Sequence, residues 1–83
     1  MMILSFEFYG ELIPLAEGER ITLSVSLAPA TVADALALLA SHYPVLHRRL
    51  HQCAVVCDTD VLLRSDPMPE NGHLVLLPPV AGG

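Results

Sequence analysis

The segment best suited to chemistry is the ending Pro78-Pro79-Val80-Ala81-Gly82-Gly83. A terminal carboxylate on a carbon without a side chain, preceded by another such residue, can thread into a partner's active site through backbone angles closed to other residues. The two prolines fix φ and push Leu77 and Pro78 toward extended geometry. Six residues at roughly 3.3 Å each reach about 20 Å from a folded body. The expectation is a carboxyl group delivered to another protein and activated there. A frayed, glycine-ended terminus is the competing reading.

A second group of reactive side chains is His47, His51, Cys53 and Cys57. A structural zinc site needs four ligands converging tetrahedrally, usually from paired knuckles. Here Cys53 and Cys57 fall on one predicted strand, about 13 Å apart at ~3.3 Å per residue. One metal cannot bridge that gap, nor can a disulfide, which needs Cα atoms within about 7 Å. Two small buried thiols and no metal site are expected. His51 lies near Cys53 in sequence, but nothing fixes it as the base for a nucleophilic thiol. His42, His47 and His51 read as solvated helical residues, and Arg48-Arg49 as a solvated pair. No phosphate-cradling glycine loop, Ser/His/Asp set or paired catalytic carboxylates can be assembled, so the chain is not expected to be an enzyme on its own.

Eighty-three residues make one domain, and 53% apolar residues is a high share for that size. A chain this short buries only about 60–65% of its unfolded surface, so an exposed apolar patch, hence a docking surface, is expected. The net charge is −5 and the four basic residues are all arginine, which argues against a nucleic-acid partner. It suits steering toward a basic partner surface. Met1–Leu4 is apolar, but Glu7 interrupts it and no basic segment precedes it, so no leader is expected. No run approaches the roughly 20 apolar residues of a membrane span. A cytoplasmic setting with reduced thiols is the expectation.

The elements that must position the tail follow from periodicity. Leu4, Phe6 and Phe8 alternate with Ser5, Glu7 and Tyr9, predicting a first strand with its Leu4/Phe6/Phe8 face inward. Gly10 to Glu19 is a connection with room for one helical turn. Ile21, Leu23, Val25 and Leu27 predict an amphipathic second strand. Thr31 as N-cap and Asp34 at N3 predict a helix over Val32–His42, with Val32, Ala35, Leu36, Leu39 and Tyr43 as its apolar stripe and Pro44 as its stop. Val45–His51 has room for another helical turn. Short strands are expected at Cys53–Cys57 and Val61–Leu63, and a last one at His73–Leu77 leading into the tail. Ser65–Gly72 is irregular. One helix between two hairpin-like pairs must cover one face of a mixed sheet.

Phe8-Tyr9-Gly10 followed by Leu12, Ala30-Thr31-Val32-Ala33-Asp34-Ala35-Leu36, and above all Leu76-Leu77-Pro78-Pro79-Val80-Ala81-Gly82-Gly83 resemble the ubiquitin-like sulfur carriers. The Pro-Pro-Val-x-Gly-Gly ending is similar to their molybdopterin synthase small-subunit branch rather than the thiamine branch. The resemblance implies an α+β, β-grasp (ubiquitin-like) fold: a domain over 1–77, with a mixed sheet and one main helix on one face, and an extended tail over 78–83. Three positions depart from the family pattern: Ile13-Pro14 in place of Arg-Glu, Asp58 in place of Asn, and Glu70-Asn71-Gly72-His73 in place of Asp-Gly-Asp-Glu.

The resemblance further implies a chemistry. A ubiquitin-activating-enzyme-like adenylyltransferase uses ATP to adenylate Gly83, and a sulfurtransferase converts the acyl-adenylate to a thiocarboxylate. Pro78, Pro79, Val80, Ala81 and Gly82 insert into the large subunit of molybdopterin synthase, where the sulfur goes to cyclic pyranopterin monophosphate. The family implies a heterotetramer, no permanently bound cofactor, and catalytic side chains on the large subunit. Tyr9, Val61, Val75 and Leu77 are the candidate docking residues, by alternation and by resemblance. A carrier for thiamine or another sulfur metabolite, conjugation through Gly83, and a non-covalent ubiquitin-like module remain open alternatives.

Overall fold

The computed structural model describes residues 1–79. Strand β1 (Met2–Phe8) is followed by a short helix α1 (Leu12–Ala16) and by β2 (Arg20–Val25). Helix α2 (Val32–His42) leads through a 3₁₀ turn (Pro44–Leu46) into a single turn, α3 (His47–Leu50). Strands β3 (Ala54–Cys57), β4 (Asp60–Leu62) and β5 (His73–Leu77) complete the chain.

The five strands form one sheet in the order β2-β1-β5-β3-β4. β1 and β5 run parallel at its centre, with Phe6 opposite Leu74 and Phe8 opposite Leu76. β2 is antiparallel to β1, β3 to β5, and β4 to β3. Alternation sends Leu4, Phe6, Phe8, Leu23, Val55, Leu74 and Leu76 to one face, where they pack with Val32, Ala35, Leu36, Leu39, Leu46 and Leu50 from the helical layer. Burying a Leu- or Phe-sized side chain contributes about 1.5–3 kcal/mol, so this single layer contact is the main source of stability. The result is the α+β, β-grasp arrangement that the resemblance implied, and α2 spans the expected residues.

The start of α2 shows why it begins where it does. Thr31 Oγ1 accepts from the Asp34 N–H at 3.2 Å, and the Asp34 carboxylate accepts from the Thr31 N–H at 3.3 Å. The Val32 and Ala33 N–H groups, which a helix cannot satisfy internally, donate to the carbonyls of Asp66 and Arg64. The irregular segment before β5 is thus fastened to the helix, with an isolated bridge between Thr31 and Pro67.

Two differences from the sequence reading have plain causes. The second strand stops at Val25, because Val25 already faces Met2 at the start of β1. Leu27 therefore has no neighbour to pair with and stands 83% exposed. Cys53 lies one residue before β3 rather than inside it.

Candidate functional site

The tail is launched from the centre of the sheet. β5 ends at Leu77, and because it runs parallel to β1 the two strands leave the sheet at the same end. There Gly10, with φ +58°, lies against Pro78: a Cβ on Gly10 would stand 3.2 Å from Pro78 Cγ. A side chain would be strained by that φ and would press on the ring. The first strand's exit is therefore shaped to receive the base of the tail, a long-range contact that no local pattern announces. Val80, Ala81, Gly82 and Gly83, which carry the expected chemistry, lie outside the described residues.

The face of the sheet away from α2 is uncovered by any element among the described residues, and the four candidate docking residues sit on it. Val75 is flanked by Glu7 on β1 and Val56 on β3, and Val56 is opposite Val61 on β4. Leu77 lies one position on, opposite Ala54, and Tyr9 follows β1 on the same side. Adjacent strands are about 4.8 Å apart, so the row from β1 to β4 spans about 14 Å. Val61 is 73% exposed and Leu77 37%. Ala54 and Val56 complete the apolar strip, although sequence reading did not single them out. Their signal was available: Val55 is fully buried, and a strand's neighbours to an inward residue point outward.

The β1/β2 half of this face is polar, and Glu7 organises it. Its carboxylate accepts from the Tyr9 hydroxyl and from Arg20 Nη2 at 3.0 Å, and His73 Nε2 lies 3.7 Å away. The Tyr9 hydrogen bond, then the Arg20 guanidinium, hold the Glu7 carboxyl below the usual carboxylate range. The same bond pushes the Tyr9 phenol above its ordinary value. Tyr9 is thereby fixed at the boundary between a polar half and an apolar half, beside the tail's exit.

The remaining reactive side chains serve the body. Cys53 and Cys57 are both buried and unpaired as thiols. The Cys53 thiol donates to the Arg49 carbonyl at 3.1 Å, and burial pushes its pKa up, the opposite of what a nucleophile needs. His47 and His51 stand edge to face with ring centroids 5.1 Å apart, and no third ligand residue joins them among the described residues. His42 Nδ1 is 3.0 Å from the Leu38 carbonyl at the end of α2. Arg49 pairs with Glu11 at 2.7 Å, so the Arg48-Arg49 pair is divided between solvent and α1's cap. No helix among the described residues is long and apolar enough to cross a membrane.

Comparison with known proteins bears on the fold and the family. No curated protein matches the chain. SAMP1 from Haloferax volcanii superposes with a TM-score of 0.81 at 24% identity, covering 98% of this chain and 99% of that one. Subunit 1 and 2 of the molybdopterin-converting factor from Helicobacter pylori form a complex whose matching chain gives a TM-score of 0.66 at 22% identity, covering 99% of this chain and 100% of that one. A putative molybdopterin converting factor subunit 1 from Pyrococcus furiosus gives 0.78 at 9% identity, over 96% and 100% of the two chains. At these identities the likeness establishes the fold. The ThiS family model matches residues 6–83, nearly the whole sequence including the glycine ending, and the chain therefore belongs to the ThiS family of ubiquitin-like sulfur carriers.

Proposed function

We propose that this chain is the sulfur-carrying small subunit of a molybdopterin synthase, with the Gly83 carbonyl as its reacting group. The observation that carries this reading is the Pro78-Pro79-Val80-Ala81-Gly82-Gly83 ending in a ThiS-family chain. The two-subunit complex from Helicobacter pylori supports a large-subunit partner. A carboxylate is a poor electrophile, so an adenylyltransferase first joins Gly83 to AMP and releases pyrophosphate from ATP. A persulfide sulfur then displaces AMP, and cleavage of the S–S bond by a donor thiol leaves a thiocarboxylate. Docked in the large subunit, that sulfur passes to cyclic pyranopterin monophosphate and the carboxylate is regenerated by water. The chain contributes the slim tail, the Gly10–Pro78 seat and the apolar strip of Val56, Val61, Val75 and Leu77. Acid and base groups belong to the partner, so the chain is not an enzyme alone.

A second reading is covalent attachment of Gly83 to other proteins, favoured by the likeness to a small archaeal modifier protein. Sulfur supply to thiamine shares the activation step, and the proline pair disfavours it.

The test uses intact-mass measurement after incubation with adenylyltransferase, ATP and a persulfide donor. The expected result is a gain equal to sulfur minus oxygen, raised further by the mass of the alkyl group when the thiocarboxylate is alkylated, and conversion of cyclic pyranopterin monophosphate once the large subunit is added. One extra residue after Gly83 must abolish both without changing the fold. Conjugates on lysines of other proteins, without pterin conversion, would replace this reading by the second.

A further inference from the structure

A groove of about 500 Å³ runs between α2 and α3, on the helical layer and so on the opposite side from the docking strip. Its floor is Leu36 and Leu50, and one wall is Ala33, Ala37 and Ala40. Those three alanines are spaced i, i+4, i+7 and share one face of α2, and no side chain longer than a methyl group rises along that wall. The wall is about 10 Å long at 1.5 Å per residue, and it is open to solvent with polarity only at its margin.

That margin carries nitrogen donors beside the Ser41 hydroxyl. His47, His51 and Arg64 line it. The Arg64 guanidinium is pinned there, since its Nη2 donates to the Leu50 and Cys53 carbonyls at 2.7 Å each. In a chain with nine acidic residues, none lies between Ala35 and Cys57. Asp34 is engaged in the α2 cap, Asp66 with the Leu63 N–H, and Glu11 with Arg49, and Asp58, the next acidic residue after Cys57, lies in the turn between β3 and β4. An apolar trough with unopposed donors on its edge complements an apolar stripe bordered by carboxylates.

We propose that this groove docks an acidic amphipathic helix of a partner protein, with its apolar stripe on Leu36, Leu50 and the alanine wall and its carboxylates toward Arg64, His47 and His51. The site does not rest on the sulfur-carrier reading. It lies on the opposite side of the sheet from the apolar strip, so the two surfaces can be engaged separately.

The probe is a fluorescein-labelled synthetic helix with Leu at i, i+3, i+4 and i+7 and Glu elsewhere, beside its Lys-for-Glu counterpart, read by anisotropy against the full chain. The acidic peptide should bind at least about tenfold more tightly than the basic one. Ala37→Glu and, separately, His51→Glu should each weaken it at least about tenfold, while Leu77→Asp on the other face leaves it unchanged. Both weakening variants are at exposed positions, and unchanged melting temperatures confirm that the fold is intact. Absence of binding, equal affinity for the two peptides, retention by Ala37→Glu, or loss with Leu77→Asp would overturn the proposal. So would tighter binding to phosphatidylserine-containing vesicles than to the acidic peptide, or a dimer of this chain that Ala37→Glu dissolves.

Discussion

The two faces of the sheet are written in alternate letters of the same strands, and they differ in kind. On the covered face the inward residues of β1 and β5, Leu4, Phe6, Phe8, Leu74 and Leu76, are all apolar and essentially inaccessible. On the open face the same strands present Ser5, Glu7, His73, Val75 and Leu77, divided between a hydrogen-bonded cluster and an apolar strip. One face is uniform because it has a single task, excluding water. The other, on the proposed reading, is divided so that a partner is both bound and oriented. Stability and docking are therefore separable by choosing odd or even positions in one strand.

The strongest way to break this comparison is to truncate the covered face. Phe6→Ala removes a ring that is 0% exposed and should cost about 3–5 kcal/mol in urea unfolding, whereas Ser5→Ala beside it should stay within about 0.5 kcal/mol. Comparable losses at the two positions would mean the faces are not energetically distinct. Next, Leu77→Asp should weaken binding to the large subunit at least about tenfold, roughly 1.4 kcal/mol, with the melting temperature nearly unchanged. Unchanged affinity in a calorimetric titration would remove the apolar strip from the interface. A smaller effect is expected at the edge of the helical layer: Thr31→Ala deletes the cap acceptor and should cost about 1 kcal/mol by thermal unfolding.

The smallest effect sharpens the polar half. Glu7 has its pKa lowered in the fold, so its contribution is present above the unfolded-state value and is lost as pH falls through the folded one. Tyr9 has its pKa raised, so its contribution is present below the ordinary phenol value and is lost as pH rises through the elevated one. In a Tyr43→Phe background, which leaves Tyr9 as the one tyrosine, ultraviolet titration should show ionisation above the ordinary phenol pKa. Glu7→Gln should bring it back toward that value. A titration indifferent to Glu7→Gln would show that the pair does not form in solution.

What could be read from sequence was whatever local periodicity encodes. Thr31 and Asp34 marked the start of α2, Pro44 its end, and the Leu74/Leu76 alternation assigned the inward side of β5. Three kinds of feature were not legible. Pairing partners were not, because nothing in Leu4–Phe8 says that β5 rather than β3 lies beside it. Nor were the bounds of α1: the connection had room for one helical turn, but Pro14 in a five-residue helix looks like a breaker until its place in the first turn is seen. Long-range contacts were hidden as well. The Gly10–Pro78 seat joins residues far apart in the chain, and Glu7 was read only as the polar letter that interrupts an apolar run. The groove between α2 and α3 escaped for the same reason, because it depends on Arg64 folding back to the end of α3.

The parallel pairing of β1 with β5, and the antiparallel pairing of β5 with β3 on its other side, have a mechanical meaning. A partner that grips the carboxyl end exerts tension along a strand held by ladders on both flanks. Such a strand yields only in shear, with many bonds strained at once, rather than by being peeled from an edge one bond at a time. The body can thus stay folded under a pull that would unzip an outer strand.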